Sequence, residues 1–119
     1  MGREEAEPIR IMHVHADRMD TKDPDLIAED YAEDAVFLSS SLPEPLVGRK
    51  AIRDYMEQLI KQPSSDKSAP DDEVQDISAG EYALHIFKNT SMGVSGIETY
   101  HVRNGKILME SCVFKPLGD

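Results

Sequence analysis

Apolar residues recur with the period of an α-helix in the first half of the chain. The first such segment opens at Pro8, a residue favoured in the first turn of a helix. One face of this predicted helix carries a stripe made of Ile9, Ile11, Met12, His15, Ala16 and Met19. Since His15 lies inside the stripe and His13 at its edge, the two side chains point in different directions. We therefore expect no metal-binding pair there.

Two further helices are predicted before residue 63. Asp23-Pro24 has the pattern of an N-cap followed by a first helical residue, and it predicts a short helix in which Ile27 and Tyr31 are one turn apart. Another helix is expected after Gly48 and before Pro63. Its apolar positions have the spacing i, i+3, i+4 and i+7, and they are Ile52, Tyr55, Met56 and Leu59.

The pattern changes to extended segments later in the chain. A strand is predicted at 35–38, an irregular edge at 39–47 and a mobile polar connection at 61–73. Four more strands are predicted at 74–78, 81–89, 96–103 and 106–114, separated by turns that contain glycine. Because helices come first and strands later, the expected fold class is α+β with a mostly antiparallel sheet.

The hairpin around Asn104-Gly105 decides where two glutamates lie. A two-residue turn would place Glu98 opposite Ser111 and on a different face from Glu110. A three-residue loop with a left-handed Gly105 would place Glu98 directly opposite Glu110. We favour the three-residue loop because it groups the glutamates with Tyr100, Leu108, Cys112 and Phe114, and leaves Ile107, Met109 and Val113 on the other face.

Two consequences follow from that register. Facing carboxyl groups in a partly dry site cannot both ionise easily, so the pKa of one of them should rise. Both sheet faces would also be largely apolar, and the outer one would need a cover. A second copy of the chain is the simplest cover, so we expect a homodimer through the outer sheet face.

Composition excludes several kinds of partner. The chain has 119 residues, with 13 basic and 23 acidic side chains and a formal net charge of −10. This size is typical of one domain, which we assign to residues 1–119. The negative charge argues against nucleic acid and anionic membranes as partners. A single cysteine, no apolar run long enough to span a membrane and no signal-peptide pattern lead us to expect a cytoplasmic location.

Four segments resemble a known superfamily. They are YAEDAVF at 31–37, PEP at 43–45, GRKAI at 48–52 and VRNGKI at 102–107. The chain resembles the nuclear transport factor 2-like superfamily, and in particular its SnoaL-like polyketide cyclase and ketosteroid isomerase branches. The resemblance implies a cystatin-like cone, in which a curved mixed or antiparallel sheet wraps around three helices and an apolar pocket lies at the open end. It also implies dimers through the outer sheet face.

The resemblance assigns roles to individual positions. The general base of ketosteroid isomerase falls on Ser39, its oxyanion-hole tyrosine on His15 and its oxyanion-hole acid on Glu98. Since serine cannot act alone as a base, the expected acid–base set is His15, Glu98 and Glu110, without cofactor or metal. Limonene epoxide hydrolase is similar in fold, but it requires an arginine where this chain has Gly96.

The expected pocket wall consists of Tyr31, Ser39, Tyr55, Met56, Tyr100, Cys112 and Phe114. The sequence leaves open whether His85 faces this pocket. The leading hypothesis is an enzyme that moves protons on an apolar carbonyl compound by isomerisation, cyclisation or related lyase chemistry. The alternative is a non-catalytic dimeric module that binds a small apolar ligand or a protein partner.

Overall fold

The computed structural model describes residues 5–62 and 71–118. Three helices accompany one open, curved sheet of six strands, so the α+β class is confirmed. The sheet order is β2-β1-β6-β5-β4-β3, in which β1 and β6 are parallel and every other pair is antiparallel. The elements are α1 Glu7–Met19, α2 Pro24–Ala28, β1 Tyr31–Ser39, β2 Leu46–Val47, α3 Arg49–Leu59, β3 Glu73–Ala79, β4 Tyr82–Asn89, β5 Val94–Arg103 and β6 Lys106–Pro116.

The helices form where the apolar periodicity predicts them. The Asp23 side chain caps α2 by accepting hydrogen bonds from the backbone N–H groups of Asp25 and Leu26. Helix α1 packs against β5, β3 and β4, whereas α3 packs against α2, β1 and β2. The predicted stop at Pro63 and most of the predicted polar connection lie outside the described residues.

The second helix is shorter than its periodicity suggests. It ends at Ala28, and Tyr31 begins β1 instead of closing a helical turn. Neighbouring segments bind the backbone at this point: the Ile107 N–H donates to the Asp30 carbonyl at 2.7 Å, and Arg49 Nε donates to the Tyr31 carbonyl at 2.9 Å. Pairing with β6 therefore overrides the local helical pattern.

The β5–β6 hairpin differs from the predicted register. Asn104 and Gly105 form a two-residue turn with φ angles of 52° and 75°, the backbone of a type I′ turn. Leu108 is then an extra residue in β6, because Val102 pairs with Ile107 whereas His101 pairs with Met109. The predicted three-residue loop is therefore wrong.

This bulge decides the direction of every later side chain in β6. Glu98 pairs with Cys112, so the predicted direct pairing of Glu98 with Glu110 is wrong. Yet the extra residue reverses the alternation, and both glutamates still lie on the concave face of the sheet. Ile107 was expected on the outer face, but it pairs with Val102 in the core and is fully buried.

The core lies between the concave face of the sheet and the helices. Its largest fully buried side chains include Ile27, Tyr31, Ile52, Val102 and Ile107. Buried polar side chains accompany them, among them His15, Asp30 and Glu110. None of the helices in the described ranges is long and apolar enough to cross a membrane.

Candidate active site

Neighbouring strands place polar side chains side by side on the concave face. One row of paired residues runs across five strands as Asp76, His85, Glu98, Cys112 and Ser39. The adjacent row contains Ala83, Tyr100, Glu110 and Phe37. The two glutamates are thus diagonal neighbours rather than direct partners, close enough for long side chains to interact.

Glu110 ends a buried hydrogen-bonded network that begins on α1. His15 Nδ1 lies 2.9 Å from Asp30 Oδ2, and Arg18 Nη1 lies 3.1 Å from Asp30 Oδ1. On its other side, His15 Nε2 lies 3.2 Å from the Tyr31 hydroxyl, which donates to Glu110 Oε1 at 2.5 Å. Two carboxylates therefore flank one imidazole, with a phenol between the imidazole and Glu110.

The protonation of this network follows from its charges. Burial lowers the pKa of His15, but the hydrogen bond to Asp30 and the negative charge of Glu110 outweigh burial and raise it overall. Burial, together with the charge of Glu110, also holds the pKa of Tyr31 well above its usual value. A cationic His15 donates from Nδ1 to Asp30 and from Nε2 to Tyr31, and Tyr31 in turn donates to Glu110. Glu110 therefore accepts the hydrogen bond at the end of this chain of donors.

Glu98 is in a different environment. The Tyr100 hydroxyl donates to Glu98 Oε1 at 3.1 Å, and Cys112 Sγ lies 3.9 Å from Glu98 Oε2. Burial, followed by the charge of Glu110, raises the pKa of Glu98 above its usual value. The site therefore holds one carboxyl group with a raised pKa next to one that accepts a hydrogen bond from a buried tyrosine.

Cys112 lies between the two glutamates as a thiol. Its Sγ is 3.3 Å from Glu110 Oε2, and burial and the two carboxylates raise its pKa. A group that resists forming a thiolate is a poor nucleophile and a poor metal ligand. Within 5–62 and 71–118, Glu98, Glu110 and Cys112 are the group whose potential ligand atoms lie within 4.8 Å of one another. These side chains already hydrogen bond with one another.

The structure brings the predicted acid–base set together with part of the predicted wall. Tyr31, Tyr100 and Cys112 contact the glutamates directly. Three other predicted wall residues belong to the hydrophobic core or pack against it. Met56 is buried on α3, the Tyr55 ring packs 5.6 Å from Phe37, and the Phe114 ring lies 6.2 Å from Phe87.

Ser39 lies next to Cys112 in the register, but its hydroxyl oxygen accepts a hydrogen bond from the Ser41 N–H at 3.1 Å. This hydroxyl therefore serves the turn that follows β1. Ser39 has no neighbouring base that would activate it among these contacts.

Sequence reasoning missed three residues of this site. Asp30 contacts His15, and Arg18 contacts Asp30. Asp76 Oδ1 lies 2.6 Å from His85 Nδ1. Asp30 stands in an acidic stretch where nothing marks it as the buried member. The open question about His85 is resolved by the register, which places it on the concave face beside Glu98.

Comparison with known protein families and solved structures identifies proteins that are similar to this chain. The family profile described as the SnoaL-like domain matches residues 13–109. No functionally curated protein has a sequence that matches this chain.

Several solved structures have a similar fold. A "putative isomerase" from Bacillus subtilis is 23% identical with a TM-score of 0.71, and the match covers 93% of this chain and 88% of that one. A nuclear transport factor 2-like protein of unknown function from Burkholderia xenovorans LB400 is 16% identical with a TM-score of 0.68, covering 95% and 86%. A steroid delta-isomerase from Pseudomonas aeruginosa is 14% identical with a TM-score of 0.64, covering 95% and 82%. At these identities the likeness shows the nuclear transport factor 2-like fold.

Proposed function

The chain belongs to the SnoaL-like domain family, and from this premise we propose that it is a cofactor-independent enzyme that transfers protons on an apolar carbonyl compound. One observation carries the proposal. Glu98, whose pKa is raised by burial and by the charge of Glu110, is a diagonal neighbour of Glu110, which accepts a 2.5 Å hydrogen bond from the Tyr31 hydroxyl. Two neighbouring carboxyl groups in different surroundings are the usual composition of an acid–base pair.

The proposed roles follow from the contacts. Glu110 accepts the proton from the carbon next to the substrate carbonyl, and Glu98 donates its proton or a hydrogen bond to the carbonyl oxygen as negative charge develops there. His15 is a positioning residue, because Tyr31 stands between its Nε2 atom and Glu110. Its role is to supply positive charge behind the phenol and so to hold Glu110 ready as a base.

The relatives support a reaction class and leave the substrate open. The Pseudomonas aeruginosa protein is a steroid delta-isomerase and the Bacillus subtilis protein is described as a "putative isomerase". Isomerisation, cyclisation and loss of water from a carbonyl compound all begin with the same proton removal. We propose isomerisation of β,γ-unsaturated ketones as the reaction to test first.

The test measures two quantities with two ketones of different size, cyclohex-3-enone and 5-androstene-3,17-dione. In D₂O, mass spectrometry follows deuterium uptake next to the carbonyl, and ultraviolet absorbance follows formation of the conjugated ketone. We expect Glu110→Gln and Glu98→Gln each to slow isomerisation by about 100-fold, within the usual contribution of a general acid or base. Glu73→Gln, on an exposed strand residue, is the matched control and should leave the rate unchanged. Full activity of the Glu98→Gln variant would contradict the proposed role.

A non-catalytic binding module is the second candidate. It is favoured by Ser39, which stands at the position of the usual base and whose hydroxyl serves a turn. A ligand that binds only the folded chain raises the melting temperature. Steroids, aromatic polyketides or terpenoids that raise it without any deuterium uptake or product would support the module.

We also propose a homodimer through the outer sheet face. This face exposes large apolar side chains on four strands: Leu38, Ile77, Ile97 and Val113 are 43–48% exposed. Ile97 and Val113 are direct cross-strand partners, so their side chains form one patch. Light scattering at micromolar concentration should give the mass of two chains, and Val113→Lys should give the mass of one. A monomeric mass for the unmodified chain would contradict the proposal.

A further inference from the structure

His85 lies beside Glu98 on the side away from Glu110. Strand β5 carries Glu98, β4 carries His85 directly opposite it, and β6 on the other side carries Glu110. Direct cross-strand neighbours on one face have Cβ atoms about 5 Å apart. Glu98 therefore has a titratable group on each of its two sides across the sheet.

Two contacts orient the His85 ring. His85 Nδ1 lies 2.6 Å from Asp76 Oδ1, and the ring stacks on Phe87 with 5.6 Å between centroids and 23° between planes. The other oxygen of Asp76 lies 3.5 Å from His13 Nε2. A carboxylate partner keeps the proton on Nδ1, so Nε2 is the atom that can accept or deliver a proton.

The two histidine–aspartate pairs differ in access to water. The His15 side chain is 6% exposed and sits behind Tyr31, whereas the His85 side chain is 19% exposed. His85 can thus exchange protons with solvent, and no side chain separates it from its cross-strand neighbour Glu98 in the register. The contacts of His15 suit it to hold a charge, and those of His85 suit it to move a proton.

We infer that His85, oriented by Asp76, is a second proton-transfer group of this site, so that substrates receive a proton from a different group than the one that removed it. The inference rests on the proposed function. It narrows the substrates to carbonyl compounds that gain a proton at a different carbon from the one that loses it, such as β,γ-unsaturated ketones.

The proposed steps balance without a cofactor. In the first step the C–H bond next to the carbonyl breaks, its proton moves to Glu110, and its electron pair forms the C=C bond of a dienol while the carbonyl oxygen takes the Glu98 proton. In the second step the His85 imidazolium gives its Nε2 proton to the remote carbon, and the dienol O–H proton returns to Glu98. Glu110 then loses one proton to solvent and His85 gains one.

Deuterium uptake reports the first step alone, whereas formation of the conjugated ketone requires both steps. For His85→Gln we expect deuterium uptake next to the carbonyl to continue at a rate within about two-fold of the unmodified chain, whereas isomerisation falls by about 100-fold. Asp76→Asn should give the same pattern as His85→Gln: deuterium uptake continues and isomerisation becomes slower. Free imidazole should restore isomerisation to His85→Ala, a rescue that a merely structural role would not produce.

A matched control exists on the outer face. His101 Nε2 lies 2.9 Å from Glu81 Oε1, and both side chains are partly exposed, so His101→Gln removes a comparable histidine–carboxylate pair. This variant should keep both rates. Unchanged isomerisation by His85→Gln, or equal loss of uptake and isomerisation without imidazole rescue, would overturn the inference. If the unmodified chain gives neither uptake nor product, the proposed function itself fails and the inference falls with it.

Discussion

Replacing Tyr31 by phenylalanine tests whether the buried network is assembled as the distances indicate. The substitution removes one hydroxyl and keeps the ring, so packing against the core changes little. The lost oxygen bridges His15 Nε2 and Glu110 Oε1, which are themselves 3.9 Å apart.

The expected cost follows from the two hydrogen bonds that disappear. One is a 2.5 Å bond to a carboxylate and the other a 3.2 Å contact with the His15 imidazole, and all three residues are buried. Hydrogen bonds to charged groups contribute about 1.5–3 kcal/mol each, and part of this returns if His15 moves toward Glu110. We therefore expect a loss of about 2–4 kcal/mol, a large part of the stability of an ordinary domain.

Urea denaturation followed by circular dichroism measures this loss. The midpoint should fall while the slope m stays constant, because the surface exposed on unfolding does not change. Tyr55→Phe is the matched control: its hydroxyl makes no hydrogen bond within the described residues, so its cost should stay below about 0.5 kcal/mol. A Tyr31→Phe loss no larger than that of Tyr55→Phe would refute the network.

Three further predictions concern other parts of the fold. The pKa of Glu98 is raised above its ordinary 4.5 in the folded chain, so the free energy of unfolding should fall as pH rises from about 4.5 through the folded pKa. Glu98→Gln should flatten that fall by about 1.4 kcal/mol per unit of pKa difference in urea titrations at several pH values, and an unchanged slope would contradict the shift. Gly96→Ala would place a Cβ 2.4 Å from Phe87 and 2.9 Å from Phe114, so we expect a loss of about 1–3 kcal/mol, and a neutral result would contradict this packing. Asp23→Ala should cost about 1 kcal/mol, measured by thermal unfolding, because it removes the cap of α2; an unchanged melting temperature would show that the cap contributes nothing.

Local patterns were sufficient for the order and type of the elements except β2, which lies in the predicted irregular edge at 39–47. The stripe on α1 and the alternation in β3 to β6 follow from side-chain geometry within one segment, and the resemblance to the SnoaL-like family agrees with the architecture they predict. The boundary at Tyr31 was wrong because β6 binds the backbone there. That competition is between segments far apart in the sequence, and helical periodicity contains no information about it.

In the β5–β6 hairpin, too, a local pattern determined the turn, whereas distant contacts determined the direction of single side chains. Asn104-Gly105 already indicated a turn, but the bulge at Leu108 depends on how Val102 and Ile107 fit into the core. One inserted residue reverses the faces of everything beyond it. The sequence therefore led to the right face for Glu110 through the wrong register.

By itself, the sequence determined the fold class, the family and the residue types of the candidate site. Only the tertiary structure decided which acids meet which histidines: Asp30 with His15, and Asp76 with His85. The physical reason is that ionisation depends on burial and on neighbours in space, while a sequence orders neighbours along the chain. Glu98 and Glu110 are chemically identical residues, and only their different surroundings in the fold distinguish the proposed acid from the proposed base.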